Sequence, residues 1–199
     1  NELIFQNVSM EFEKGNSYGF VGPNGCGKSV FFKTLCGYSL LTEGQVIYRG
    51  KIIGKEQDFI DDAGIVIEEP EFINSLSGLE NLKILAEIQK KISEPEIIEV
   101  LKQFDLYEDR NKKVGKYSVG MKQKLRLAQA VMEKPQVLIL DEPMNGLDKK
   151  SVKRVEDILK AFVENGGTLL MTSHIEQQVE ACCKIVYEID GGEILRVTD

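Results

Sequence analysis

No run of apolar residues in this sequence approaches the ~20 that a bilayer-spanning helix needs, which excludes such a span within it. The opening "NELIFQNVSM" lacks the basic region and apolar core of a signal peptide. Asn1 rather than Met stands first, which leaves room for residues upstream. Positive charge is scarce: 25 Lys and Arg stand against 32 Asp and Glu, a net charge of −7. That balance argues against nucleic acid or an anionic membrane surface as the main partner, yet a local basic pocket could still take a phosphate. There is one histidine, His174, and the four cysteines, Cys26, Cys36, Cys182 and Cys183, form no C-x-x-C pair. This spacing argues against a Cys/His metal site, and reduced thiols in a cytoplasmic protein are the expectation.

What is present is an ordinary globular composition in 199 residues, enough for one substantial core. "LIFQNVSMEF" and "SYGFVG" read as strands, and a helix carrying Phe31, Phe32, Leu35 and Cys36 follows the second. "GQVIYRGKII" reads as a strand or hairpin between Gly44 and Gly54, and "AGIVIEEP" as a short strand stopping at Pro70. From about Ile73 to Lys134 the periodicity is mostly helical, with capping boxes at Ser77/Glu80 and Ser93/Glu96. From Pro135 strands and helices alternate again: "VLIL", a helix from Asp148, "TLLMTS", a helix from Ile175, "KIVYEI" and "EILRV". The expectation is one α/β core with a parallel sheet covered on both faces, interrupted by a helical insert.

"GPNGCGKS", Gly22 to Ser29, fits G-x-x-x-x-G-K-[ST] between a predicted strand and a predicted helix. Gly22, Gly25 and Gly27 let backbone N–H groups turn inward around phosphates. Lys28 brings a point charge to the outer phosphates, and the Ser29 hydroxyl suits Mg²⁺. Farther on, "VLILDE" is four apolar residues and then two acids. Asp141 and Glu142 thus emerge at the carboxyl end of a buried strand, where open parallel sheets hold ligands. Asp141 suits the magnesium shell opposite Ser29, and Glu142 suits polarising the attacking water or accepting its proton. His174 follows "TLLMTS" and also stands at a strand's carboxyl end. It is either a residue at a helix start or a neutral imidazole facing the γ-phosphate or the water; its position favours the second. Finally, "YSVGMKQ" presents Ser118 as a helix N-cap whose free N–H groups suit an anion, although a phosphate cradle already exists upstream.

Together these motifs resemble an ABC-transporter ATPase over nearly the whole chain and in the expected order. "GPNGCGKS" is similar to that family's phosphate loop, "VLILDE" to its second nucleotide motif and "TSH" to its histidine switch. "MNGLD" is similar to the loop that crosses the dimer interface, with Asp148 at its key acid, and "YSVGMKQ" to the signature more often written LSGGQ. The resemblance implies a P-loop NTPase fold with a mainly parallel central sheet, an N-terminal antiparallel β portion and an inserted helical subdomain. It implies a core lobe of residues 1–72 and 135–199 and a subdomain of residues 73–134. ATP and Mg²⁺ are the implied ligands: Gly22, Pro23, Asn24, Gly25, Cys26, Gly27, Lys28, Ser29 and Val30 around the phosphates, with Ser29 and Asp141 at the metal. Ser118, Gly120 and Met121 would reach ATP held by a second cassette packed head to tail, and Asp148 would stand at that interface. This resolves the second anion site: a P-loop leaves the γ end of the triphosphate open, and a helix start from another protomer closes it.

Some residues depart from the family pattern. Glu68, in "GIVIEEP", stands where the family has a Gln linking Mg²⁺ to the membrane subunit, with Glu69 the candidate if the register slips by one. A carboxylate there can ligate Mg²⁺, but it adds charge beside the γ-phosphate. "IEEPEF" is similar to the peptide-antibiotic export and immunity branch, which includes bacitracin and lantibiotic transporters. Val119 replaces the first signature Gly, Met121 the usual Gln, and Val30 the usual second hydroxyl after Ser29; no adenine-stacking residue is assigned. The implied partners are an integral membrane transporter subunit and an identical or related second cassette, with no nucleic acid and no direct membrane insertion. Phe72, Ile73 and Leu76 are candidates either for docking that subunit or for packing the insert. The implied place is the cytoplasmic side of the cell membrane, held peripherally. Competing readings are a soluble ABC ATPase acting on a macromolecule, and an ATP-gated binding module with little hydrolysis.

Overall fold

Short apolar strands have few ways to bury both faces, and the chain uses the one in which helices cover each side of a parallel sheet. The computed structural model describes residues 4–68 and 72–197. Strands β1 (Ser17–Val21), β4 (Ala63–Val66), β5 (Val137–Leu140), β6 (Thr168–Thr172), β7 (Ile185–Asp190) and β8 (Glu193–Arg196) form one sheet in the order β4-β5-β6-β1-β7-β8. All neighbours pair parallel except β7 and β8. The helices are α1 (Lys28–Cys36), α2 (Gly78–Gln89), α3 (Glu94–Gln103), α4 (Val119–Met132), α5 (Lys149–Glu164) and α6 (Glu176–Cys182).

Side-chain alternation splits the core in two. Leu138, Leu140, Leu169, Met171 and Val186 face a cluster shared with α2 to α6, whereas Tyr18, Phe20, Ile139, Leu170 and Ile189 face Phe31, Phe32 and Cys36 of α1. The expected α/β architecture, with a mainly parallel sheet covered on both sides, is therefore what the chain adopts. Both serine capping boxes form: Ser77 N–H donates to Glu80 at 2.7 Å, and Ser93 N–H donates to Glu96 at 2.9 Å. Helix α4 packs on α3 at one side and on β4 at the other, so a single apolar cluster runs from Leu82, Ile97 and Leu101 of the helical stretch to the sheet.

One element differs from expectation. Residues 4–12 form no strand, although "LIFQNVSMEF" alternates like one. Alternation supplies a buried face but no partner edge, and no strand pairs with this segment. It is held instead by Phe5, Met10 and Phe12 packing on the α1 side of the sheet, and by Gln6 N–H donating to Gly192 O at 3.3 Å. Antiparallel structure in the N-terminal part is confined to a small hairpin, β2 (Ile47–Tyr48) with β3 (Lys51–Ile52). A cavity of about 1040 Å³ is lined by residues of this segment, of the hairpin and of the sheet. Its lining includes Gln136, Val137 and Thr168, at the amino ends of β5 and β6, the sheet edge opposite the motifs.

Candidate functional site

Because β4, β5, β6 and β1 run parallel, their carboxyl ends share one edge, and each delivers a motif there. β1 runs into the 22–29 loop, β5 ends at Asp141 and Glu142, β6 at Thr172, Ser173 and His174, and β4 just before Glu68.

The phosphate loop has the backbone the motif demands. Gly25 and Gly27 lie at φ +84° and +105°, in the left-handed region, and a Cβ on Gly25 would meet open space. Gly27 caps α1 without any side-chain hydrogen bond, so the first N–H groups of the helix remain available to an anion. Cys26 turns back on the loop, its N–H donating to Pro23 O at 3.3 Å, and its Sγ lies 2.9 Å from where a Cβ on Gly22 would stand. Lys28 is buried, and its ammonium donates to Gly22 O at 2.7 Å and Pro23 O at 3.0 Å.

Asp141 joins the loop to the sheet. Ser29 Oγ and Thr172 Oγ1 each donate to one oxygen of its carboxylate. Thr172, fully buried, also accepts from Glu142 N–H at 3.0 Å, so one hydroxyl fixes both acids. Glu142 has φ +48°, a strained conformation for a residue with a side chain, of the kind found at functional sites. His174 Nδ1 lies 2.8 Å from Glu142 Oε2, and a proton on that nitrogen donates to the carboxylate. Glu142 Oε1 is buried with no hydrogen-bond partner among the described residues. A buried acceptor left open costs free energy, and a substrate or water donor would satisfy it.

The predicted residues therefore fall into separate groups. Lys28, Ser29, Asp141, Glu142 and His174 come together at the sheet edge through these bonds. Glu68 also stands at this edge but at φ +63°, with its carboxylate paired to Lys33 of α1 rather than to Ser29 or Asp141. Glu69 lies outside the described residues. Ser118 caps α4, its Oγ accepting from Met121 N–H at 3.2 Å, and Val119 beside it is 70% exposed. Among the described residues no hydrogen bond or ion pair joins 118–121 to the 22–30 loop of the same chain. Asp148 caps α5, accepting from Ser151 N–H at 2.9 Å and Ser151 Oγ at 2.8 Å. These bonds hold its carboxyl below the usual range, the backbone bond from Ser151 contributing most. Phe72 packs against the core, while Ile73 is half exposed and Leu76 half buried.

Thr172, Lys33 and Gln123 carry contacts for which the sequence reading had no role. Thr172 was visible only as a polar residue ending a buried strand beside "SH"; its partners lie about thirty residues away, across the sheet.

Residues 5–145 match the family described as "ABC transporter". The chain is 37% identical over 191 residues to the uncharacterized ABC transporter ATP-binding protein YybJ of Bacillus subtilis (strain 168), covering 96% of this chain and 88% of YybJ. It is 34% identical to the lantibiotic transport ATP-binding protein SrtF of Streptococcus pyogenes, over 96% of this chain and 82% of SrtF. It is 32% identical to the bacitracin transport ATP-binding protein BcrA of Enterococcus faecalis, over 96% of this chain but only 63% of BcrA. Among solved structures, the dimeric post-hydrolysis state of the cassette MJ0796 bound to ADP and Pi has a TM-score of 0.85 at 23% identity, covering 96% of this chain and 88% of that one. At that identity the likeness shows the fold.

Proposed function

Since the chain belongs to the ABC transporter ATP-binding family, a family of ATPases, we propose that it binds and hydrolyses ATP between two cassettes to drive a separate membrane subunit. The supporting observation is the convergence of Lys28, Ser29, Asp141, Glu142 and His174 at one sheet edge, with one buried oxygen of Glu142 left open.

The residues fit magnesium and a triphosphate. The 22–30 loop, Pro23 and Cys26 included, would wrap the phosphates, with backbone N–H groups of residues such as Asn24, Gly25, Gly27 and Val30 as donors; Pro23 has none to give. Lys28, whose ammonium now donates to Gly22 O and Pro23 O, would turn to phosphate oxygens. Ser29 and Asp141 already share a bond and would hold Mg²⁺, which when bound neutralises charge on the outer phosphates. Thr172 keeps Asp141 and Glu142 in register. Glu142 would accept the proton of the attacking water, and His174 steadies its other oxygen through Nδ1.

The exposed Ser118 tip serves the ATP of the neighbouring cassette with Gly120, Met121 and the helix dipole, and Asp148 stands at the same interface. Residues 73–134 act as the helical subdomain that carries this tip. Glu68 lies near the metal, its added charge offset by Lys33. No helix among the described residues is long and apolar enough to cross a membrane. The integral transporter subunit would dock near Phe72, Ile73 and Leu76 on the cytoplasmic side. The names of SrtF and BcrA, with the "IEEPEF" stretch, favour a peptide antibiotic as cargo.

Ser118→Arg tests the reading. Hydrolysis is expected to vanish while ATP binding to the single protomer persists; normal turnover by this variant would sink the two-cassette mechanism.

A further inference from the structure

Packing alone does not hold His174: its side chain is 44% exposed, yet Nδ1 lies 2.8 Å from Glu142 Oε2. The residues around it supply the support. Ser173 is fully buried, and its N–H donates to Phe20 O of β1 at 3.2 Å. Its Oγ accepts from Ile175 N–H at 3.0 Å, so the chain turns tightly with His174 between the two bonded residues. Gln178 of α6 closes this turn from behind. Its N–H donates to Ile175 O at 3.0 Å, and its Oε1 accepts from Ser173 Oγ at 3.0 Å. The helix that carries Gln178 is tightly seated, because a Cβ on Gly19 of β1 would stand only 1.9 Å from Val179 Cγ1.

A serine hydroxyl has one proton to give and two lone pairs. Ser173 Oγ faces two oxygens that can only accept: Gln178 Oε1 at 3.0 Å and Glu142 Oε2 at 3.4 Å. The shorter contact takes the proton, which fixes the hydroxyl and aims a lone pair at Ile175 N–H. Without the Gln178 oxygen, the proton would swing to Glu142 Oε2, the acceptor that remains. The lone pair would then leave Ile175 N–H, and Ser173 would compete with His174 for the same carboxylate oxygen.

We infer that Gln178 is a positioning residue for hydrolysis: through the Ser173 hydroxyl it holds the turn that sets His174 against Glu142. This rests on the roles given above to Glu142 and His174. A Gln178 that only stabilised α6 would affect melting and leave kcat of the folded protein unchanged.

The test compares wild type, Gln178→Met, Ser173→Ala and the double variant. Binding of a fluorescent ATP analogue is measured on each, with kcat and KM for phosphate release. Expected for each single variant are analogue binding and KM within about twofold of wild type and kcat lower by about tenfold, because the loss falls on the transition state rather than on nucleotide capture. The double variant should be no slower than the slower single one, since the two residues form one relay. A Gln178→Met kcat within about twofold of wild type overturns the role, and so does a double variant slowed by the product of the single losses. Should Gln178→Met fail to fold, Gln178→Ala removes the amide with a residue that favours the helix, and the same outcomes decide. His174→Ala, run alongside, separates the two readings. If it turns over like wild type, the role given to His174 falls, and this inference with it. A slow His174→Ala beside a Gln178→Met of normal kcat removes only the role of Gln178.

Discussion

Lys33 lies one helical turn past Ser29 on α1, and its ammonium holds the Glu68 carboxylate. Glu68 is 66% exposed at its side chain, so the pair contributes little to stability. Its effect belongs to charge placement. In the proposed site a bare carboxylate would repel the γ-phosphate, and a cation one turn from the metal-binding hydroxyl offsets that repulsion. Lys33→Gln should therefore weaken Mg²⁺-dependent binding of an ATP analogue by roughly tenfold with little change in melting temperature. Lys33→Gln combined with Glu68→Gln should restore most of it, because the uncompensated charge is gone. Equal losses in the single and double variants would show that the pair has no part in metal–nucleotide binding. Of these two residues, sequence exposed only Glu68, by its place in a motif. Lys33 looked like any solvated lysine on a helix, since its partner lies 35 residues away.

At the scale of elements, helix starts were the most legible feature, because the chemistry of a cap is local. Ser77, Ser93, Ser118 and Asp148 each stand at the N-cap that their sequence context predicts. "VLIL" matches β5 residue for residue, since four apolar residues bounded by Gln and Asp leave little freedom. The 4–12 segment misled because strand character was present while the partner was not, and a partner edge is a property of the whole sheet. Glu96 shows what a local cap can be made to report. The Lys134 ammonium, then the Ser93 N–H and hydroxyl, hold its carboxyl down at about 2, against an ordinary value of 4.5. A depressed carboxylate stabilises the fold above its ordinary value and loses that contribution as pH falls through the folded one. Glu96→Gln should therefore be less stable than wild type at neutral pH. In urea titrations the gap should begin to close near pH 4.5 and vanish only below about pH 2. A gap that stays constant with pH would assign the stabilisation to shape rather than charge.

At the scale of the molecule, the sheet order separates what the chain makes first from what completes it. β1 lies between β6 and β7, so the strand that leads into the phosphate loop finds both its neighbours beyond residue 167. Phe20 pairs in register with Thr172 on one side and Tyr187 on the other, contacts more than 150 residues apart. Such distant pairings form late, because long loops must close before any ladder is gained. A fragment ending at Gly166 should lack protease-resistant structure around β1 and should not retain an ATP analogue; a compact, nucleotide-binding fragment would contradict this. During synthesis the nascent polypeptide leaves the ribosome with its phosphate loop exposed and half-built, waiting for β6 and β7, residues 168–190, to be translated. A stop codon ahead of residue 168 would then abolish nucleotide capture as thoroughly as the loss of Lys28 itself.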